Sequence, residues 1–179
     1  MIYMFLAHGF EETEALAPLD LLRRAGLEVT TVGIGGELVT GSHGITVQAD
    51  IEDIVFRDDA PGMVILPGGM PGTRNLDASP VVDAALNATV RNDGYLAAIC
   101  AAPMVLGKRG LLKGKRAICF PGFEKFLDGA ILSNHHVVRD GKTVTAAGMG
   151  VALQFGLELV AMLCGDVAAE NLRASIIAG

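Results

Sequence analysis

Met63 to Leu66 (MVIL) is an apolar run with no polar break, closed by Gly62 on one side and by PGGMPG at Pro67 to Gly72 on the other. A strand without alternation must be covered on both faces, which is the pattern of a parallel sheet sandwiched between helices. Ile2 to Ala7 and Tyr95 to Ile99 repeat it, each followed by a turn of small or polar residues and then a helical stretch. Helices are expected at Glu11 to Ala25 (stopped by Gly26), Pro80 to Asn92 (behind the N-cap Ser79), Ala101 to Gly107, Gly122 to Asp128, Met149 to Leu163 and Asp166 to Ile177. Further strands are expected at Leu27 to Gly33 and Arg116 to Cys119. A hairpin, His136 to Arg139 with Lys142 to Ala146, turns at Asp140-Gly141, and Glu37 to Val47 reads as an excursion at the sheet edge. The expected fold is one α/β domain over residues 1–179, a sandwich with a mostly parallel central sheet and helices on both faces.

Composition narrows the function classes. Hydrophobic residues make up 51% and charged residues 19%, with a mean hydropathy of +0.45, which predicts that part of the outer surface is covered by self-association. The longest apolar stretch, Thr143 to Cys164, is broken by Gln154 and Glu158, so no membrane span is expected. The start, MIYMFLAHGFEE, has no basic region ahead of its apolar run and turns acidic at Glu11 and Glu12, which points to a cytoplasmic protein. A net charge of -6, with basic residues concentrated only at Gly107 to Arg116, argues against nucleic-acid binding. Cys100, Cys119 and Cys164 show neither CxxC nor Cys/His ligand spacing, so neither a disulfide framework nor a metal site is expected.

The strongest chemical signal is YLAAICAAPMVLG, where an apolar strand runs into Cys100 and small residues precede a helix with Pro103 in its first turn. Small neighbours permit a sharp turn, and amides at a helix N-terminus favour a thiolate, lowering a thiol from about 8.5 to between ~3.5 and 7.5. A bland reading, in which a cysteine merely fills core space, suits Cys119 and Cys164 better. Open α/β sheets bind ligands at the C-terminal ends of their strands, and the loop after the first strand supplies HGFEETE. Glu14 is the candidate partner there, because Pro18 leaves the carbonyl near Glu14 without its helical donor and should kink the helix. Glu11 and Glu12 fit a helix N-terminus. In PGGMPG, Gly68 and Gly69 can present N–H groups to an oxyanion, and the segment is not a phosphate loop, lacking Gly-Lys-Ser/Thr. GMGVAL at Gly148 to Leu153 imitates a dinucleotide fingerprint without its third glycine, so no cofactor is expected. His135 and His136 alternate along a strand and make a poor metal pair.

Taken in order, HGFEETEALAPLDLLRRAG, VILPGGMPGTRNL and AAICAAP resemble the ThiJ/PfpI superfamily, across essentially the whole chain, and within it the parkinsonism-linked deglycase branch called DJ-one with its bacterial counterparts. The resemblance implies a flavodoxin-like sandwich, a homodimer, Cys100 as an oxidisable nucleophile with the Glu14 carboxyl hydrogen-bonded to its sulfur, and oxyanion-hole amides from Gly69 and Ala101. It places Glu11, Asp20 and Arg24 near the dimer face and His43 where an arginine is often found. This sequence departs from the superfamily twice. Ala101 stands where the protease-like branches carry histidine, which argues against a peptidase, and Phe120 stands where animal proteins of the close branch carry a histidine near the thiol. The expected activity is cofactor-independent glyoxalase or deglycase chemistry on small reactive carbonyls such as methylglyoxal. The alternative is a redox sensor or stress chaperone working through oxidation of Cys100, with a carbon-nitrogen hydrolase or peptidase behind it.

Overall fold

A computed structural model describes residues 1–57 and 59–178. Its main sheet has seven strands: β1 (Ile2–Ala7), β2 (Val29–Ile34), β5 (Ile51–Glu52), β6 (Met63–Leu66), β7 (Tyr95–Ile99), β10 (Val137–Asp140) and β11 (Thr143–Ala146). They are ordered β10-β11-β7-β6-β1-β2-β5, all parallel except β10, which pairs antiparallel with β11. The unbroken apolar runs are explained by burial on both faces. Ile2, Met4 and Leu6 of β1 enter one core with Phe10, Leu22 and Phe155, while Tyr3, Phe5 and Ala7 enter the other with Leu76, Leu86 and Val105. The first core lies under α1 (Glu12–Arg24), α5 (Ala152–Cys164) and α6 (Asp166–Ser175), the second under α2 (Gly72–Ala78), α3 (Pro80–Arg91) and α4 (Pro103–Lys108). Among the described residues no helix is long and apolar enough to cross a membrane.

Several expectations are corrected. The excursion after β2 forms its own two-stranded sheet, β3 (Leu38–Thr40) with β4 (Thr46–Gln48), and the true edge strand is β5. Asp50 fixes that edge by accepting from the Thr31 N–H and hydroxyl, both at 2.7 Å, a tertiary tie that periodicity cannot reveal. Arg116 to Cys119 shortens to β8 (Arg116–Ala117), paired with β9 (Ile131–Leu132) outside the main sheet. Gly122 to Asp128 contains only a 3-10 turn at Glu124–Phe126, and Met149–Val151 is a 3-10 turn ahead of α5. Helix α2, hidden in the sequence behind its Pro/Gly-rich approach, was not expected. Helix α1 runs through Pro18 without interruption.

The parallel strands present their C-terminal ends on one edge. At the point where the order reverses, β1 has β2 on one side and β6 on the other, the position where open sheets carry ligands. The turns after β1, β6, β7 and β11 meet there.

Candidate active site

Strand β7 ends in Cys100, whose φ of +64° lies in the left-handed region that non-glycine residues seldom occupy. Two backbone bonds hold it: its N–H donates to the Ala146 carbonyl at 2.8 Å, and its own carbonyl accepts from the Phe120 N–H at 2.8 Å. The turn is thereby pinned between the end of β11 and the segment after β8. The side chain is half-buried, and its sulfur accepts from the backbone N–H groups of Gly69 and Ala101.

The Glu14 carboxyl comes from the first turn of α1, which its own side chain does not cap. Glu11 does so instead, accepting from the Glu14 N–H at 2.6 Å, and this leaves the Glu14 carboxyl free to point inward. It is 1% exposed, accepts from the Gly68 N–H at 3.0 Å through Oε2, and is hydrogen-bonded to Cys100. The two loops are stitched together by Glu11 N–H to the Gly68 carbonyl at 2.9 Å and Gly72 N–H to the Gly9 carbonyl at 3.1 Å. Gly68 is required by close approach, since a Cβ there would overlap Glu14 Oε2 and stand 2.6 Å from the Cys100 Cβ. Gly69 sits at φ +88°, which aims its N–H at the sulfur.

Burial pushes the Glu14 carboxyl up to about 7, helped by the nearby Glu11 charge and opposed by the Cys100 and Gly68 hydrogen bonds. The thiol differs from the sequence expectation of a lowered value. Burial first, then the Glu14 carboxylate, push it up to about 12, against the Gly69 and Ala101 amides. The expected helix N-terminus is weak because α4 is only six residues long and begins beyond the turn, at Pro103. Two acids this close cannot both ionise, so between these values the pair carries one negative charge and one proton. Such a pair is suited to proton transfer near neutral pH.

Among the other sequence candidates, Glu11 adjoins this pair through its bond to the Glu14 N–H, whereas His43 reaches only Glu11 and Glu12, and Asp20 and Arg24 lie further along α1. His43 Nδ1 is 2.9 Å from Glu12 Oε2 and 3.9 Å from Glu11 Oε1, and its N–H donates to Glu12 Oε1 at 2.8 Å. Burial opposes ionisation of Glu12, but the His43 side chain and three backbone bonds outweigh it and hold the carboxyl down at about 2. The Glu12 hydrogen bond in turn raises His43. Glu12 was legible only as a helix-start acid, since its partner sits in another sheet's turn. One potential ligand atom each from Glu11, Glu12 and His43 lies within 4.8 Å of the others, yet both Glu12 oxygens are already engaged by N–H groups. Asp20 and Arg24 pair with each other at 2.6 Å further along α1, where they line a shallow groove with Leu153, Ile176 and Ile177. Cys119 is buried, its thiol pushed up to about 12 by burial, and Cys164 is exposed.

The turn after β11 went unrecognised. Gly148 is buried between Phe120 and Glu14: a Cβ there would stand 3.3 Å from Phe120 Cδ2 and 4.0 Å from Glu14 Oε1. Its signal was available, because GMG follows a parallel strand beside Cys100, but the dinucleotide comparison absorbed it.

Residues 1–162 match the DJ-1/PfpI family. The protein dj-1beta of Drosophila melanogaster is 33% identical over 177 residues, covering 97% of this chain and 95% of that one. The glutathione-independent glyoxalase DJR-1.2 of Caenorhabditis elegans is 30% identical over 164 residues, covering 90% and 87%. Among solved structures, oxidized Toxoplasma gondii DJ-1 superposes with a TM-score of 0.94 at 32% identity, covering 98% of this chain and 97% of that one.

Proposed function

This chain belongs to the DJ-1/PfpI family, and we propose that it converts small 2-oxoaldehydes such as methylglyoxal to 2-hydroxy acids without a cofactor, through a covalent adduct on Cys100. The observation that carries this reading is the contact between Cys100, held on a left-handed turn, and the buried Glu14 carboxyl group, framed by the Gly69 and Ala101 amides. A relative described as a glutathione-independent glyoxalase supports it. In the reaction the Cys100 Sγ bonds to the aldehyde carbon while the thiol proton passes to Glu14 and on to the carbonyl oxygen, with the Gly69 and Ala101 amides holding the developing oxyanion. Glu14 then takes the proton from that carbon to give an enediol and returns it to the neighbouring carbon, while the hydroxyl proton passes from the first oxygen to the second, leaving a thioester of the hydroxy acid. Water cleaves the thioester and restores the thiol. Methylglyoxal plus water gives lactate, so the oxidation of one carbon balances the reduction of the next. The working unit proposed is a homodimer joined near Asp20 and Arg24, with Glu11 and His43 at its edge.

Lactate formation should vanish in Cys100→Ser and persist in Cys119→Ser. Equal activity in both variants would remove the mechanism. A second reading, redox sensing, rests on the same contact: below about pH 7 Glu14 is a carboxylic acid that can donate to an oxidised sulfur. Mild peroxide should then place two oxygens on Cys100 alone, and unselective oxidation of all three cysteines would count against it.

A further inference from the structure

A hollow of about 360 Å³, within the ~300–1,000 Å³ span of small-molecule sites, opens on the side of the sheet covered by α2 and α3. Cys100 packs against the opposite core, and none of Cys100, Glu14, Gly69 or Ala101 lines this hollow. It lies between the ends of β1 and β2, at Ala7 and Ile34, and the junction of α2 with α3 at Ala78, Ser79 and Pro80. The 3-10 turn Asp53–Val55 adds Asp53 to its wall.

The polar groups of the lining fall into two sets. The first set donates. Ser79, only 6% exposed, caps the twelve-residue helix α3 by accepting from the Val82 N–H at 3.4 Å, and its hydroxyl proton has no acceptor among the described residues. Behind it Pro80 has no N–H, and the Val81 N–H has no acceptor within the helix. His8 Nδ1 accepts from the Thr40 N–H at 3.1 Å, so its proton sits on Nε2. The second set accepts. Asp53 Oδ1 takes the Gly35 N–H at 3.3 Å, and Oδ2 is unpaired among the described residues. Asn75 Nδ2 donates to the His8 carbonyl at 2.8 Å, which leaves its Oδ1 unpaired in the same sense. Ile34, Ala78 and Pro80 supply apolar surface between the sets.

From this we infer that the hollow binds a free α-amino acid with a branched aliphatic side chain. Its carboxylate meets Ser79, His8 and the start of α3, its ammonium meets Asp53 and Asn75, and its side chain covers Ile34 and Pro80. A phosphate there would set a dianion beside Asp53 in a chain of net charge -6. A simple amine would leave the Ser79 proton and the α3 donors unmet. A zwitterion answers both sets and brings no net charge.

The test is a titration of the whole nitrogen-15-labelled protein with L-leucine, followed by NMR at the Gly35 and Val81 amides. Both should shift saturably. 4-Methylpentanoate, which lacks the ammonium, and 3-methylbutylamine, which lacks the carboxylate, should each bind about 10-fold more weakly or worse. Asp53→Asn keeps an acceptor for the Gly35 N–H and removes the charge, so it should weaken L-leucine by about 10-fold or more and leave 4-methylpentanoate no weaker. The variant's amide spectrum shows whether it is folded. Absence of a saturable shift, equal binding of L-leucine and 4-methylpentanoate, or an affinity that Asp53→Asn leaves intact overturns the site. Shifts centred on Ala101 instead would place the ligand at the thiol and overturn it as well.

Discussion

Replacing Glu14 with glutamine keeps the shape of the side chain and removes its titration. In the folded protein this carboxyl rises from an ordinary 4.5 to about 7. A raised acid binds more protons folded than unfolded between those values, so its contribution is present below pH 4.5 and is lost as pH climbs through about 7. At ~1.4 kcal/mol per pH unit the interval corresponds to ~3 kcal/mol of stability that the wild type gives up between pH 4.5 and 8. Glu14→Gln gives up none of it, whatever constant offset the amide introduces against the Gly68 N–H. Urea unfolding of both proteins across this range should therefore show the variant gaining on the wild type by ~3 kcal/mol as pH rises. Parallel stability curves would mean that Glu14 is ordinary in the folded state, and the proton-sharing pair would fall with it. In the same variant, lactate formation should drop by about 100- to 10,000-fold, the usual range for losing a general acid-base group.

Gly68→Ala should destabilise the fold by about 1–3 kcal/mol and abolish turnover, because its methyl group displaces the Glu14 carboxylate from the Cys100 side chain; denaturant midpoints and initial rates check both. His43 is raised by Glu12, so its pairing stabilises most below pH 6.5 and is lost as pH rises through its folded value. His43→Ala should thus cost more stability at pH 5.5 than at pH 9, and an equal loss at both would exclude the pairing. With a disulfide reagent at pH 8, the exposed Cys164 should react first, and Cys119 only after unfolding; early labelling of Cys119 by mass mapping would contradict its burial.

The sheet was legible because burial on both faces writes itself into β1, β6 and β7 as unbroken apolar runs. Their order along the chain and the small residues after each strand end then carried Cys100, Glu14, Gly68 and Gly69 to one edge. What stayed hidden depended on contacts between distant segments. The Asp50 tie that creates β5, the β8–β9 pair outside the main sheet, and His43 reaching Glu12 from a separate two-stranded sheet leave no periodic trace. The thiol was misjudged for a physical reason: a helix start was weighed without the burial and the neighbouring carboxylate that oppose it. That the Phe120 ring packs against Gly148, from the turn after β11, left no trace in the sequence either.

Proton sharing between Glu14 and Cys100 is tested most directly by titrating the Glu14 carboxyl itself, with carbon-13-labelled glutamate followed by NMR and Glu14→Gln used to assign its signal. A midpoint near 7 is expected, with the acid still largely protonated at pH 6. A midpoint at glutamate's ordinary 4.5 would leave Cys100 beside a permanently charged carboxylate and contradict the mechanism.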